Sequence, residues 1–487
     1  MEEQYMGESL SNLLIGWASR DITPTGKVSL CGQFHIRITE EIHDPLTVTA
    51  LALESDDKNE QAIIVSIDAV AVAQCVIDGC CDRLSNILPE FRPNMLLISA
   101  THTHTAPDQP RPFTDFGRPK MADDVMTKEA YADLLIEKIS EAAVEAWNKR
   151  TAGSLSWGRG YAVIGFNRRA AYFDGSTRMY GRTDTADFSH IEGHEDHAVE
   201  LLFTYDPNHT LTGMIVNVPC PSQCTEISYF VSADYWHETR EEIRSRLGAH
   251  IHILPQCSAA GDLSPHTLLN TRADSRMLRL KGYGEDYRMG RRRDIANRLA
   301  TLIDEVLLLT STDICDSVQF RHRNISLDLP RRRATEADFA DAQKQVALAE
   351  ERLALLESSD PMSLEYSSAF ASRSFYQQVI DLYHAQQRGE CLSLPIELHV
   401  LRIGEIAMCS NRFEYYLDYG DRIKGRSKAL QTFVVQLAGD ATYLPTERSI
   451  HGGSYGAFIA GTAVGPDGGK QTVDVTVSAI NEFFSSV

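Results

Sequence analysis

One segment constrains this chain more than any other: Met95-Leu96-Leu97-Ile98-Ser99-Ala100 runs straight into Thr101-His102-Thr103-His104-Thr105. The apolar run has the length of a strand, and it ends in a polar loop rather than a helix. In extended chain, residues at i and i+2 project to the same side, so the two imidazoles share a face. Sheets in α/β folds place ligand sites just beyond strand ends such as this one. Imidazole is the commonest neutral metal ligand, and a pair supplies half of a tetrahedral shell. A hydrogen-bonded polar loop is the plainer reading, and spacing alone does not separate the two.

The surrounding pattern sets the fold class. Ala62–Ile67 is a second strand-sized run, and helix-like sequence follows it through Leu84. Ala130–Trp147 carries apolar residues at helical spacing. Further on, His197–Asp206 and Leu211–Val218 read as strands joined by the turn Pro207-Asn208-His209-Thr210, which predicts an antiparallel pair. His237–Leu247 reads as a helix and His250–Leu254 as a strand. A long helix is expected over Thr335–Leu356, with Thr335 and Asp338 as its capping pair. The segments 398–404, 432–439 and 471–478 read as short strands. The expected architecture is α/β, with mixed β-sheets flanked by helices. It forms one domain over residues 12–487, with a helical insertion around 335–390.

Charge narrows the partners. Lys and Arg number 47 against 67 Asp and Glu, giving a formal net charge of -20. A chain of this balance is repelled by nucleic-acid phosphates and by anionic membranes. No apolar run reaches the roughly 18 residues of a membrane span. The opening MEEQYMGESL lacks the basic and apolar regions of a secretory signal, so the expected location is cytoplasmic. The ten cysteines form no zinc-ribbon spacing and read as reduced, buried thiols. The expected partner is a small-molecule substrate, with no nucleic acid and no stable membrane insertion. Homo-oligomerisation stays open.

Four further segments bear chemistry. Gly261-Asp262-Leu263-Ser264-Pro265-His266 follows a strand and presents a serine, although an ordinary turn also explains it. In Asn217-Val218-Pro219-Cys220-Pro221-Ser222-Gln223, two prolines hold Cys220 in rigid backbone that suits a ligand or nucleophile; a buried structural thiol is the plainer reading. In Ser232–Glu238, Trp236 could stack on a substrate and His237 and Glu238 could ligate or move protons; a helix start with a core tryptophan explains them equally. The last is Asn411-Arg412-Phe413-Glu414 with Ala441-Thr442-Tyr443-Leu444-Pro445, where a lone Glu and a lone Tyr say little by themselves.

Taken in order, these segments resemble the neutral, non-lysosomal ceramidase family. Gly16-Trp17-Ala18-Ser19-Arg20-Asp21-Ile22-Thr23-Pro24 is similar to the family's opening, and Ile42-His43-Asp44 to its next block. Val65–Asp68 and Ile98–His104 are closer, and Phe166-Asn167-Arg168 is similar to its Asn-Arg motif. Gly261-Asp262-Leu263-Ser264-Pro265 resembles its Gly-Asp-Val-Ser-Pro motif. Glu414, Gly420, Ile423 and Ser427 resemble a further block, followed by Tyr443 and Tyr455. The likeness runs in islands from about residue 14 to 460.

The resemblance implies a zinc-dependent enzyme that cleaves an N-acyl amide bond. It implies that His102, Glu414 and Tyr443 bind zinc. His104, Arg168 and Tyr455 would bind the reacting carbonyl or the acid product, and Ser264 would be the catalytic serine. The family's second zinc histidine falls in Asn217–Gln223, which has no histidine here. Cys220 is its nearest match, with His237 and Glu226 as other candidates. Arg412-Phe413 stands where the family has Pro-Gly. A basic stretch (Arg272, Arg276, Arg279, Arg288, Arg291–Arg293) replaces a cysteine-rich segment; it suits either an anionic or polyhydroxylated substrate or a solvated helix face. The expected fold is that of the family's catalytic domain, without its C-terminal immunoglobulin-like domain. The expectation is a zinc-dependent, ceramidase-like hydrolase of an amide or ester bond in a soluble substrate. A carbohydrate-directed hydrolase or lyase and a non-catalytic binding protein are the alternatives.

Overall fold

The computed structural model describes residues 10–111, 119–440 and 442–485. Strands β1 (Ser11–Asp21), β2 (Thr47–Ser55), β3 (Gln61–Ile67) and β4 (Leu96–Ala100) lie side by side, and the last three are buried almost throughout. Strands without a polar face need cover on both sides. On one side Ala50, Val65 and Ile98 pack against helices α1 (Gln74–Ile87) and α2 (Lys128–Asn148) through Val76, Leu84, Leu135 and Ile139. On the other side Leu51, Ile64 and Leu97 enter an inner core shared with the rest of the molecule.

The sheet continues through β5 (Thr151–Tyr161), β6 (Ala198–Tyr205), β7 (Leu211–Val218) and β8 (His252–Cys257). Its order is β8-β7-β6-β5-β1-β2-β3-β4, and Ser317–Val318 adds a ninth short strand against β1. β5 pairs with β1 over only three residues before turning to β6. The β6–β7 hairpin forms at the turn expected for it. Only the end pairs β3–β4 and β7–β8 are parallel, so the sheet is mixed. The outer face of β6 and β7 is covered by α3 (Tyr235–Leu247) and α4 (Tyr287–Thr310).

A second sheet, β9 (Phe320–Pro330), β10 (Ser393–Ile403), β11 (Ile406–Ser410) and β12 (Gln431–Val435), closes the inner core with Leu401, Ile403 and Phe433. Between β9 and β10 the chain makes α5 (Glu336–Leu355) and α6 (Leu364–Gln387), which pack on each other. The Thr335–Asp338 pair forms a full capping box at the start of α5. Helices α7 (Leu417–Arg426) and α8 (Pro466–Phe483) cover the outer face of the second sheet.

That last helix overturns one expectation. Residues 471–478 read as a strand because Val473, Val475 and Val477 alternate with polar residues. They lie in α8, where Thr472, Val473, Thr476, Val477 and Ile480 form one buried stripe at helical spacing. Pro466 starts the helix, where its fixed φ is pre-organised. Tertiary burial outweighs the weak strand preference of β-branched residues. Among the described residues, no helix is long and apolar enough to cross a membrane.

Candidate active site

The loop after β4 is held in an unusual shape. His102 has φ +68°, a left-handed conformation that a non-glycine residue rarely adopts. Its N–H donates to Ala69 O at 2.9 Å, and its Nδ1 lies 2.6 Å from Val70 O. Nδ1 therefore carries the proton, and Nε2 presents a lone pair away from the sheet. Backbone bonding that fixes one ring nitrogen and frees the other is the arrangement that orients metal-ligating histidines.

Three other segments converge on that lone pair. Glu414 and Tyr443 lie opposite each other in a two-residue parallel ladder, Glu414–Tyr415 with Tyr443–Leu444. The Gly261 loop after β8 packs under this ladder: a Cβ at Gly261 would stand 2.4 Å from Glu414 O, so only glycine fits. Leu263–Ser264 pairs with Phe166–Asn167, which presents Arg168. His102 Nε2 is 3.4 Å from Glu414 Oε2, and both groups are largely buried.

Arg168 is the hub. It is 2% exposed. Its guanidinium donates to Gly261 O at 2.8 Å, Gln223 Oε1 at 3.1 Å, Tyr180 Oη at 3.1 Å and Tyr443 Oη at 3.4 Å, and it lies 3.7 Å from Glu414 Oε2. Burial alone would push the Glu414 carboxyl up, but His102 and Arg168 outweigh it and hold it below its ordinary value. His104 lies beside His102, Nε2 to Nε2 at 3.3 Å, and Gln223 Nε2 donates to His104 Nε2 at 2.6 Å. Burial, with His102 and Arg37 nearby, pushes the His104 imidazole well below its ordinary value. Tyr455 stacks edge-on against Tyr443 at 5.4 Å, and burial keeps both phenols protonated well above 10.

Of the residues named from sequence, the structure brings His102, His104, Arg168, Glu414, Tyr443 and Tyr455 into one cluster. Ser264 lies one layer behind: its Oγ accepts from His266 N at 3.1 Å and from Tyr180 Oη at 3.2 Å, and it is fully buried. Cys220 is the correction. It sits in the core between the first sheet and helices α3 and α4, with Trp236 and Ile295, and burial pushes its thiol up. The two flanking prolines stiffen a core segment and present no ligand. Trp236 is buried in the same core and stacks on no substrate. His237 stays on α3, and Glu238 pairs with Arg292 at 2.8 Å. The basic stretch splits: Arg272, Arg276, Arg279, Arg288 and Arg293 are exposed, whereas Arg291 and Arg292 are buried in ion pairs with Asp294 and Asp44. Ala441 lies outside the described residues.

Sequence reasoning missed Gln223 as a site residue, together with Tyr180 and Phe34. Gln223 bridges Arg168 and His104 from inside the very segment where a ligand was sought. Phe34 touches Tyr455 at 5.7 Å and Phe375 of α6 at 5.4 Å, so the helical insertion reaches the site through an aromatic wall.

Among the described residues, no group of three or more His, Cys, Asp or Glu is arranged to hold a metal ion. The donors available are the pair His102 and Glu414 with the Tyr443 hydroxyl, which contacts the Glu414 carboxylate. His102 Nε2 and Glu414 Oε2 face each other at 3.4 Å, close enough for one cation to bridge them. One nitrogen with two oxygens is a donor set that zinc accepts while keeping an open position. The residues present therefore fit zinc with three protein ligands.

No family model matches the chain, and no curated protein matches it. Solved structures do match, two ceramidase structures among them. A neutral ceramidase from Pseudomonas aeruginosa superposes with a TM-score of 0.68 at 17% identity, covering 97% of this chain and 75% of that one. A structure described as a ceramidase complexed with C2 gives the same TM-score and identity, with 97% and 76% covered. The chain has the fold of these neutral ceramidase structures and is a divergent example of it.

Proposed function

We propose that this chain is a metal-dependent hydrolase acting on an amide or ester bond of a small, soluble substrate, with zinc held by His102, Glu414 and Tyr443. The observation that carries the reading is the 3.4 Å approach of His102 Nε2 to Glu414 Oε2, with Nδ1 tied back to Val70 O. The fold shared with neutral ceramidases supports amide chemistry over other hydrolysis. Bound there, zinc polarises a carbonyl and lowers the pKa of a water to about 7.

The chain's own groups supply the rest. Arg168 is anchored on four sides by neutral or anionic acceptors, so its positive charge is fixed in a site from which water is largely excluded. Fixed charge of this kind stabilises a developing oxyanion without reorganising. Tyr455, protonated at neutral pH, offers an O–H donor on the other side of Tyr443. His104 stays neutral, and Gln223 holds its ring. Ser264 orients Tyr180, which in turn orients Arg168. Among the described residues no His, Lys, Asp or Glu side chain is hydrogen-bonded to Ser264 Oγ, which favours a positioning role over that of a nucleophile.

The carbohydrate-directed reading rested on Trp236, the arginines and acid–base work by His237 and Glu238; Trp236 is buried, which removes its stacking platform, and Glu238 is paired with Arg292. The test is hydrolysis of a panel of N-acyl amides and acyl esters of increasing chain length, with glycosides for comparison, each with and without chelator. Chelator-sensitive cleavage restored by zinc supports the reading. Cleavage of glycosides alone, or of nothing in the panel, defeats it.

A further inference from the structure

A cleft of about 580 Å3 opens where β4 and α1 splay away from the β9–β10 ribbon, and His102, Glu414 and Tyr443 take no part in it. The ribbon wall is one face of an antiparallel ladder. Asn324 pairs with His399 and Ser326 with Glu397, and period-two geometry brings Asn324, Ser326, Asp328, Glu397 and His399 to the same side. The facing wall is apolar, made by Ile77 of α1 and Leu96 to Ile98 of β4.

Hydrogen-bond accounting makes the ribbon wall an array of acceptors. His322 Nδ1 lies 2.8 Å from Gln61 O and must donate to it. His322 Nε2 is then an acceptor, and His399 Nδ1 donates to it at 3.0 Å. His399 is left with a bare Nε2 lone pair that has no hydrogen-bond partner among the described residues, on a side chain only 7% exposed. Burial keeps both rings below the ordinary histidine value, His322 at about 4, so this arrangement holds at neutral pH. Asn324 Nδ2 donates to Asn94 O at 3.0 Å and Glu397 Oε2 at 3.3 Å. A flipped amide would set oxygen against oxygen, so Nδ2 and Oδ1 are correctly placed. Asn324 Oδ1 is buried without a partner. Glu397 and Asp328 add carboxylates, which only accept. Arg412, at the end of the cleft, gives Nε to Asp440 O and Nη1 to Pro395 O.

An acceptor on a largely buried side chain is costly to leave without a donor, and His399 Nε2 lines the same cleft as the carboxylates of Glu397 and Asp328. We propose that this cleft binds a small organic ammonium ion, with its N–H groups on His399 Nε2 and Glu397 and its aliphatic body along Ile77 and Leu96–Ile98. The volume is that of an ordinary small-molecule pocket. The site shares no residue with the hydrolytic cluster, so either reading stands or falls without the other.

The test titrates the full chain, labelled with 15N-histidine, with n-hexylammonium. Hexanoate and n-hexanol serve as comparison probes. The expected result is saturable binding of hexylammonium, an upfield shift of the His399 Nε2 resonance, and binding at least about tenfold weaker for both comparison probes. Glu397→Gln, at an exposed position that folding does not depend on, should weaken hexylammonium about tenfold. Absence of saturable binding at millimolar concentration would overturn the proposal. So would equal binding of hexanoate or hexanol, or hexylammonium affinity unchanged in Glu397→Gln.

Discussion

Arg168→Met tests the electrostatic heart of the site. The wild-type guanidinium is buried, meets three acceptors at 2.8–3.1 Å and lies 3.7 Å from the Glu414 carboxylate. At 3.7 Å and an effective dielectric of about 20, the Coulomb attraction is about 4.5 kcal/mol, an upper bound before desolvation. Removing one partner of a buried pair leaves the other uncompensated, and such changes cost about 3–5 kcal/mol. Methionine also orphans Gly261 O and Gln223 Oε1. Arg168→Met should therefore lower the unfolding free energy by about 3–5 kcal/mol. Most of that arises from the stranded Glu414 charge, so adding Glu414→Gln should recover part of it. The coupling in the double-mutant cycle is expected at about 1–3 kcal/mol. The assay is urea unfolding followed by tryptophan fluorescence, with chelator in every sample so that no metal compensates Glu414. Effects additive within about 0.5 kcal/mol would mean that Arg168 and Glu414 do not sense each other, and the reasoning fails.

Four further outcomes follow from the same contacts. Gly32 has φ +93°, and a Cβ there would lie 2.4 Å from His104 Nδ1; Gly32→Ala should lower stability by about 1–3 kcal/mol and shift the His104 ring resonances more than those of His322. Ser264→Ala should lose about 1 kcal/mol of stability and reduce turnover by no more than about tenfold, whereas a nucleophile's removal would abolish a burst of acyl-enzyme and nearly all turnover. Cys220→Ala should cost about 1–2 kcal/mol as a core truncation and leave metal content unchanged in elemental analysis. His322 titrates at about 4 in the fold against about 6.5 when unfolded, so the unfolded chain takes up the proton first. Its contribution is present in full above pH 6.5 and is lost as pH falls to about 4, by about 3 kcal/mol; the urea midpoint should drop across that window and drop less in His322→Asn.

Much of the scaffold was legible because it is made of strongly patterned segments. The strands around His102, the β6–β7 hairpin and the capped helix α5 all carry local signals that tertiary packing does not override. The strand expected at 471–478 failed because Val and Thr alternate there while a helical stripe is what becomes buried, and the two patterns coincide over eight residues. In the site, His102 and His104 were legible from a strand end, and Glu414, Tyr443 and Tyr455 only through a family likeness, since they stand apart in sequence and meet only in the fold. Cys220 misled because a cysteine is a chemically attractive ligand, whereas the side chain in that segment that turns to the site is Gln223, three residues later. Buried arginines are equally hidden: Arg291 and Arg292 read as part of a basic surface until Asp294 and Asp44 are seen beside them.

The account's central claim is that His102, Glu414 and Tyr443 hold a zinc ion. Elemental analysis of protein purified with zinc supplied, together with zinc affinity by competition with a chromophoric chelator, tests it most directly. The account predicts about one zinc per chain in the wild type and in Cys220→Ala, none in His102→Ala, and affinity weakened at least about tenfold in Tyr443→Phe. A wild type that binds no zinc, or His102→Ala protein that binds it as the wild type does, contradicts the claim.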